Sequence, residues 1–495
     1  MTGKKISINM GMVVLIILSM FGCNLPTTSL QPETETEIDI SIPLSPTLTP
    51  KPASPSPLPL TPNFTEEPPL PISTGKIYYV SPEGDDSNQG TEAQPWQHIQ
   101  KAADSLTAGD TVYIKAGTYR ERVIPQNSGE ADKYITFAAN PGEDITIDGQ
   151  GVSVPEWSGL FDVPNLSYIK ITGLRIINSS NNGILADTSN HIIIEKNYTY
   201  NTVSSGIGIW NSEDIIIDGN EVELACNDGS QEDITVAVTD GFEVKNNRVH
   251  NGGPGTNGGE GIDIKDGSSN GKVYNNLVYD LMRVGIYVDA WNKHTYNIEV
   301  FQNIVHNISA YGFALASEAG GLLENVRVYN NISYHNKFSG LGISNCCADD
   351  AYHHPVKHIQ IIDNTFFDNG WEDWGPGISL ENPEAEDILV RNNIASQNAY
   401  TQIGADPHIL NLVIDHNLTY GDRSDDEYID SGEIGDPLFI NPSEGDFHLQ
   451  PGSPAIDHGS SEGAPSNDFD GNFRPQDGDK DGIAGYDIGA FEMPD

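Results

Sequence analysis

One phrase recurs along this chain and leaves it little choice of fold. From about residue 169 an alternating apolar strand ends in an asparagine, a variable bend follows, and a glycine opens another strand. The asparagines are Asn197, Asn220, Asn247, Asn276, Asn303, Asn331, Asn364, Asn393 and Asn417, spaced 23 to 33 residues apart with no helical periodicity between them. A unit of that length made of period-two strands cannot bury its apolar side alone, so it stacks on its neighbours. The expected fold is all-β, a single-stranded parallel β-helix of about ten or more coils. Asparagine suits the recurring mark because it tolerates left-handed bends and its amide can bond the next rung.

Ahead of the array the composition changes twice. Lys4 and Lys5 precede the apolar run MVVLIILSMF, which ends in Gly22-Cys23. A charged start, a short apolar stretch and a small residue make a secretory signal, too short for a spanning helix. Gly22-Cys23 resembles the lipobox of bacterial lipoproteins, which implies a signal peptide over 1–23 and lipidation of Cys23. Residues 24–75 hold 13 of the 31 prolines, with Thr, Ser and Glu. That composition buries too little apolar area to fold and stays extended as a linker. Residues 76–435 then form the solenoid, and 436–495 a C-terminal module.

The chain carries 71 acidic against 25 basic residues, a net charge of −46. Such a surface excludes nucleic acid and anionic lipid as partners. Membrane contact is expected only through the lipid anchor, with the protein monomeric and exported to the bacterial surface or beyond it. With Cys23 acylated, Cys226, Cys346 and Cys347 remain, which is no disulfide framework. Cys346-Cys347 is either a vicinal disulfide or two thiols.

The segment WQHIQKAADSL (96–106) puts Ile99, Ala102, Ala103 and Leu106 on one helical face, an N-terminal helical cap for the first sheet edge. With YYVSPEGDDSNQGT before it and AGDTVYIKAGTYRE after, residues 77–122 resemble the opening of family-nine polysaccharide lyases. These are secreted right-handed parallel β-helix proteins of the pectate-lyase-like superfamily, and the resemblance implies that handedness here. DPLF, GDFHL, PGSPAIDHG and the run 468–492 are similar to modules that close bacterial secreted β-helices. Within that run Asp477, Asp479 and Asp481 resemble the first half of a calcium loop, although Ile488 stands where a last Glu is needed.

The strands after the recurring glycine are GIGIW (206–210), DITVA (233–237), GIDIK (261–265), GIYVD (285–289), GFALA (312–316), GLGIS (340–344) and GISLE (377–381). Positions two and four are apolar and face inward; three and five face outward and stack from coil to coil. Most outward residues are small. The exceptions are Asp263, Lys265, Tyr287 and Asp289, flanked by Glu260, Asp266 and Glu318. Trp210, Trp291, Trp371 and Trp374 border the same face, so Tyr287, Trp291, Trp210 and Glu318 are candidate substrate contacts in a groove for a sugar chain. The plainest alternative is a cross-rung ion pair of Lys265 with Asp289 on a solvated face.

Three functions fit. In β-elimination from a uronate, Lys265 is the base, and Glu260, Asp263 and Asp266 hold the calcium that neutralises developing charge. Here the segment resembles the acid-then-lysine pattern of alginate and chondroitin lyases of this fold, with Asp289 where those have a basic residue on the next coil. In glycoside hydrolysis, Asp263 and Asp289 are the pair, with Glu318 in reserve. GIYVD is similar to a strand bearing catalytic Asp in some β-helix glycosidases, and the two backbones stand roughly 8 Å apart, nearer the inverting separation. The third function is a non-catalytic glycan-binding or adhesion solenoid. The spaced Tyr200, His250, Tyr279, His306, Tyr334 and Phe367 read as a structural stack, and His353-His354 beside Asp349 and Asp350 as a polar loop rather than a metal site.

Overall fold

The computed structural model describes residues 75–228, 231–253, 258–344, 352–371, 375–421 and 432–495. Cys346, Cys347, Asp349, Asp350 and Trp374 lie outside the described residues, as do residues 1–74, which include Cys23, the expected signal and nearly all of the expected linker. What is described is a parallel β-solenoid. Its strands fall into parallel sheets of 13, 13 and 10 strands, each strand pairing with its counterpart one coil away. The first sheet runs from Ile77–Val80 to Val413–Asp415, the second from Gly117–Tyr119 to Glu433–Ile434, and the third from Gly159–Pro164 to Ile403–Ala405. Inward apolar positions form one continuous core, including Ile207, Ile234, Ile262, Ile286 and Phe313 in the third sheet. A helix, Ile99–Ser105, buries Ile99, Ala102 and Ala103 into that core.

The asparagines form a buried chain of hydrogen bonds. Each Nδ2 donates to the Oδ1 of the next coil's asparagine, from Asn197 to Asn220 at 3.1 Å and on to Asn393 and Asn417 at 3.0 Å. Each also donates to a backbone carbonyl, as Asn303 does to Val273 at 2.9 Å. The left-handed residue, however, is the one before the asparagine: Lys196, Asn246, Asn275, Gln302, Asn330, Asp363, Asn392 and His416 have φ between 51° and 56°. The expectation that the ladder asparagines themselves take the bend is thus corrected. The bend turns the chain, and the asparagine behind it is free to point inward and bond. A second ladder, Asn336 to Asn369 to Asn398, each 2.9 Å from the next, stands at the entrance to the third sheet. The expected aromatic stack is present, with His250–Tyr279, Tyr279–His306 and His306–Tyr334 centroids 4.9, 5.2 and 4.8 Å apart.

The C-terminal segment lies along the flank of the solenoid. Phe439, Phe447, Leu449, Ile456, Ile488 and Phe491 pack on Ile304, Ile332, Ile394 and Leu418, outward residues of the second sheet. Its backbone also meets the left-handed corner row: Gln302 donates to Phe469 O at 2.7 Å, Asn330 to Asn467 O at 2.7 Å and Asn392 to Ser460 O at 2.8 Å. Arg474, fully buried, donates to Glu492 at 2.9 Å and stands 3.7 Å from Asp363 of that row.

Candidate active site

Strand alternation brings the predicted residues together on the third sheet. Asp263 pairs with Tyr287 in the ladder between strands Ile262–Lys265 and Ile286–Ala290, so Asp289 sits diagonally from it. On the preceding coils Ala237 is opposite Lys265 and Trp210 opposite Ala237. The face is not solvated: Asp263, Asp289 and Tyr287 are 2%, 4% and 7% exposed. The ion pair also differs from expectation. Lys265 Nζ donates to Glu232 at 2.5 Å, lies 3.8 Å from Asp263, and sits 5.7 Å over the Trp210 ring. The small Ala237 leaves the lysine room to reach back one coil rather than forward to Asp289. Tyr287 in turn donates its hydroxyl to Glu318.

Glu232 is the residue that the alternation argument missed, because it precedes the strand, in the bend. A signal was present beside it. Six of the seven aligned strands open with glycine, and one opens with Asp233. The glycines are required: a Cβ on Gly261 would stand 2.6 Å from Val278 and Leu281 side-chain atoms. Asp233 fits because Gly252 occupies the place that Leu281 fills one coil on, and a Cβ on Gly252 would meet the Asp233 carboxylate at 2.0 Å. The chain has exchanged a glycine and a bulky residue to seat a carboxylate. Asp233 N donates to Glu260 O at 2.8 Å, placing Glu260 on the neighbouring coil beside it.

The electrostatics follow from crowding acids in a dry place. Burial, reinforced by Glu260 and Glu232, pushes Asp233 well above the usual carboxylate range. Burial and then Asp289 do the same to Asp263, and burial and Glu318 to Asp289. Glu260 is raised to about 7 by burial and Glu232. Burial opposes the charge on Lys265, but Glu232, Asp263 and Asp289 outweigh it and hold the ammonium firmly protonated. Both oxygens of Asp233 and one each of Asp263, Asp266 and Asp289 are buried without a hydrogen-bond partner among the described residues.

The predicted calcium ligands fare differently. Glu260, Asp263 and Asp266 do not bring three donor atoms within 4.8 Å of one another among the described residues. Asp263 points outward from its strand, and Asp266 stands past the strand end at φ 56°, near enough that its charge helps to raise Asp289. In the C-terminal loop Asp477 and Asp479 do converge, but with Asp457 in place of Asp481. Asp481 is occupied locally, accepting from Ile483 N at 2.8 Å, while Asp457 accepts from Asp479 N at 3.0 Å. Trp291 is partly exposed in the turn after its strand, its carbonyl accepting from Ala319 N at 2.7 Å. His354 is buried against Ser317 O at 2.7 Å, and Cys226 is a buried thiol.

Residues 78–257 match the family description "Pel9A-like, right handed beta helix region". An uncharacterised protein of Bacillus subtilis (strain 168), YwoF, is 28% identical over 77% of this chain and 92% of its own length. Pectate lyase PEL9 of Emericella nidulans is 31% identical over 23% of this chain and 30% of its own length. Among solved structures, that of pectate lyase Pel9A is similar with a TM-score of 0.50 at 16% identity, covering 86% of this chain and 98% of that one. The XylC complex with xylose aligns with a TM-score of 0.54 at 12% identity, over 84% of this chain and 98% of the other. At such identities the structural likenesses speak for the fold. Together with the three-sheet architecture, these matches show a parallel β-solenoid whose residues 78–257 are similar to the Pel9A-like right-handed β-helix.

Proposed function

We propose that this chain acts on a polysaccharide outside the cell, tethered through Cys23, and cleaves a uronate-containing glycan by β-elimination. The observation that carries this reading is the set of buried carboxylate oxygens on Asp233, Asp263, Asp266 and Asp289, without a hydrogen-bond partner among the described residues, about the Lys265–Glu232 pair. The Pel9A-like match and the pectate lyase relative support the substrate class.

In this reaction Lys265 Nζ takes the proton from the carbon beside the uronate carboxylate. The electron pair released becomes a carbon–carbon double bond, and the bond to the glycosidic oxygen breaks. Asp263, whose carboxyl burial and Asp289 push well above the usual range, is the group placed to supply the proton that the leaving oxygen needs. A lysine bound to Glu232 is a cation and no base, so its carboxylate partners must be drawn off before it works. Hard carboxylate oxygens suit calcium, but Glu232, Asp233 and Glu260, like the predicted set, do not bring three donor atoms within 4.8 Å of one another among the described residues, so these side chains would have to close up to hold it. Bound there, calcium neutralises carboxylate charge on protein and substrate. A second reading, hydrolysis, is favoured by the diagonal, mutually raised Asp263 and Asp289, which suit an acid–base pair.

The test incubates the purified chain with uronate and neutral polysaccharides, with calcium and with chelator, following ultraviolet absorbance and reducing ends together. Absorbance that rises with reducing ends supports elimination. Reducing ends alone transfer the chemistry to the two aspartates. Silence in both, with glycan still bound, leaves the adhesion solenoid.

A further inference from the structure

Trp157 stands just before the first strand of the third sheet and is 58% exposed, although burying an indole is worth more than almost any other side chain. Its backbone is left-handed, at φ 56°, which a bulky side chain adopts only under constraint. Most left-handed residues of the solenoid stand in rows that repeat from coil to coil at its corners; Trp157 belongs to none of these rows. The constraint therefore does not come from closing a coil. Its ring meets the Trp210 ring edge-on, centroids 5.7 Å apart at 87°. Trp210 is in turn covered by the Lys265 ammonium at 5.7 Å. The two indoles thus continue from the acid cluster toward the N-terminal coils, one ring anchored beside the lysine and the other open to solvent.

We propose that Trp157, with Trp210, forms a sugar-stacking subsite on the N-terminal side of the acid cluster, taking a pyranose ring of the glycan chain that passes over Lys265. The occupant follows from the chemistry of the surface. A pyranose ring offers a flat array of C–H bonds to an aromatic face, and its hydroxyls stay in water at the exposed side. The T-shaped pair holds the Trp157 face at a fixed angle to the Trp210 ring, which a chain of linked rings can follow. The proposal rests on the functional reading above for the nature of the ligand. It adds a residue and a direction: sugar units extend from the acid cluster toward the first coils.

The experiment measures binding of polygalacturonate, alginate and xylan by affinity electrophoresis, and KM and kcat on whichever polymer is cleaved. Wild type is compared with Trp157→Ala, Trp157→Phe and Phe473→Ala, the last an exposed aromatic of the C-terminal segment, 77% exposed. The proposal expects about tenfold weaker binding and a raised KM with kcat kept in Trp157→Ala, partial recovery in Trp157→Phe, and no change in Phe473→Ala. Wild-type binding that is equalled by Trp157→Ala overturns the subsite and leaves the lyase reading intact. Equal losses in Trp157→Ala and Phe473→Ala overturn it as well, because they would reflect general surface adsorption. A wild type that neither binds nor cleaves any of the three polymers overturns the functional reading and the subsite together.

Discussion

Lys265 faces backward along the solenoid, bonding Glu232 of the preceding coil at 2.5 Å rather than Asp289 of the following one. The consequence is a lysine whose proton affinity is set by a residue outside its own strand. Glu232→Gln is expected to weaken the hold on the proton and move the ascending limb of the pH–rate profile, where Lys265 becomes free to act as base, toward neutrality. Lys265→Ala is expected to lower elimination at least about a hundredfold, the lower range for a positioned base. The check is a pH profile of the initial rate for both variants on the cleaved polymer.

Calcium has a readout that does not depend on turnover. Asp233, with both oxygens buried and without a hydrogen-bond partner among the described residues, gains most from a cation. Millimolar calcium is expected to raise the melting temperature of the wild type, and EDTA to reverse it. Asp233→Asn is expected to lose most of that increment and, lacking a buried charge, to melt no lower than wild type in EDTA. Differential scanning calorimetry decides it; an equal calcium increment in both proteins would remove Asp233 from the ligands.

The flank where the C-terminal segment docks is sensitive to pH in a defined sense. Burial raises Asp363 from 3.8 to about 7 and Glu492 from 4.5 to about 8, against the pull of Arg474. Both carboxyls stay protonated in the folded chain at pH values where the unfolded chain has released its protons. Their contribution is therefore complete below about pH 4 and fades as pH rises toward 7 and 8. For Asp363 the slope is up to about 1.4 kcal/mol per pH unit within that window. Asp363→Asn is expected to flatten the fall in unfolding free energy between pH 5 and 7, measured by urea denaturation.

The ladder makes a prediction about stability alone. Asn303 Nδ2 serves Asn331 and two backbone carbonyls, and its Oδ1 accepts from Asn276 N and Nδ2. Asn303→Ala strands several buried groups at about 1–3 kcal/mol each, so a loss of about 3 kcal/mol or more is expected. Asn251→Ala, at an exposed corner, serves as the control in the same chemical denaturation series.

The coils were legible because their period is written in asparagine, and the inward and outward rows because strand alternation has only one phase that buries Ile262 and Ile264. What alternation could not reach was the bend. Glu232 sits two residues before its strand, Ile234–Ala237, and has no fixed facing, so its bond to Lys265 was invisible. The glycine that becomes Asp233 is a local departure from pattern, and its compensation at Gly252 lies 19 residues away in sequence but adjacent in space. Likewise Asp457 joins Asp477 and Asp479 only through the folding of the C-terminal loop. The sequence showed charges clustering at two rungs; only packing revealed that they are nearly dry.

A solenoid in which each coil touches only its neighbours can fray from the end, one rung at a time. The C-terminal segment changes that arithmetic here. Because residues from Phe439 to Phe491 grip coils from Ile304 to Leu418 at once, the late coils cannot peel away singly while the segment stays docked. They are bound like pages along a spine. Amide exchange in those coils should therefore proceed as one cooperative block, and the last rungs should be protected as long as the middle ones.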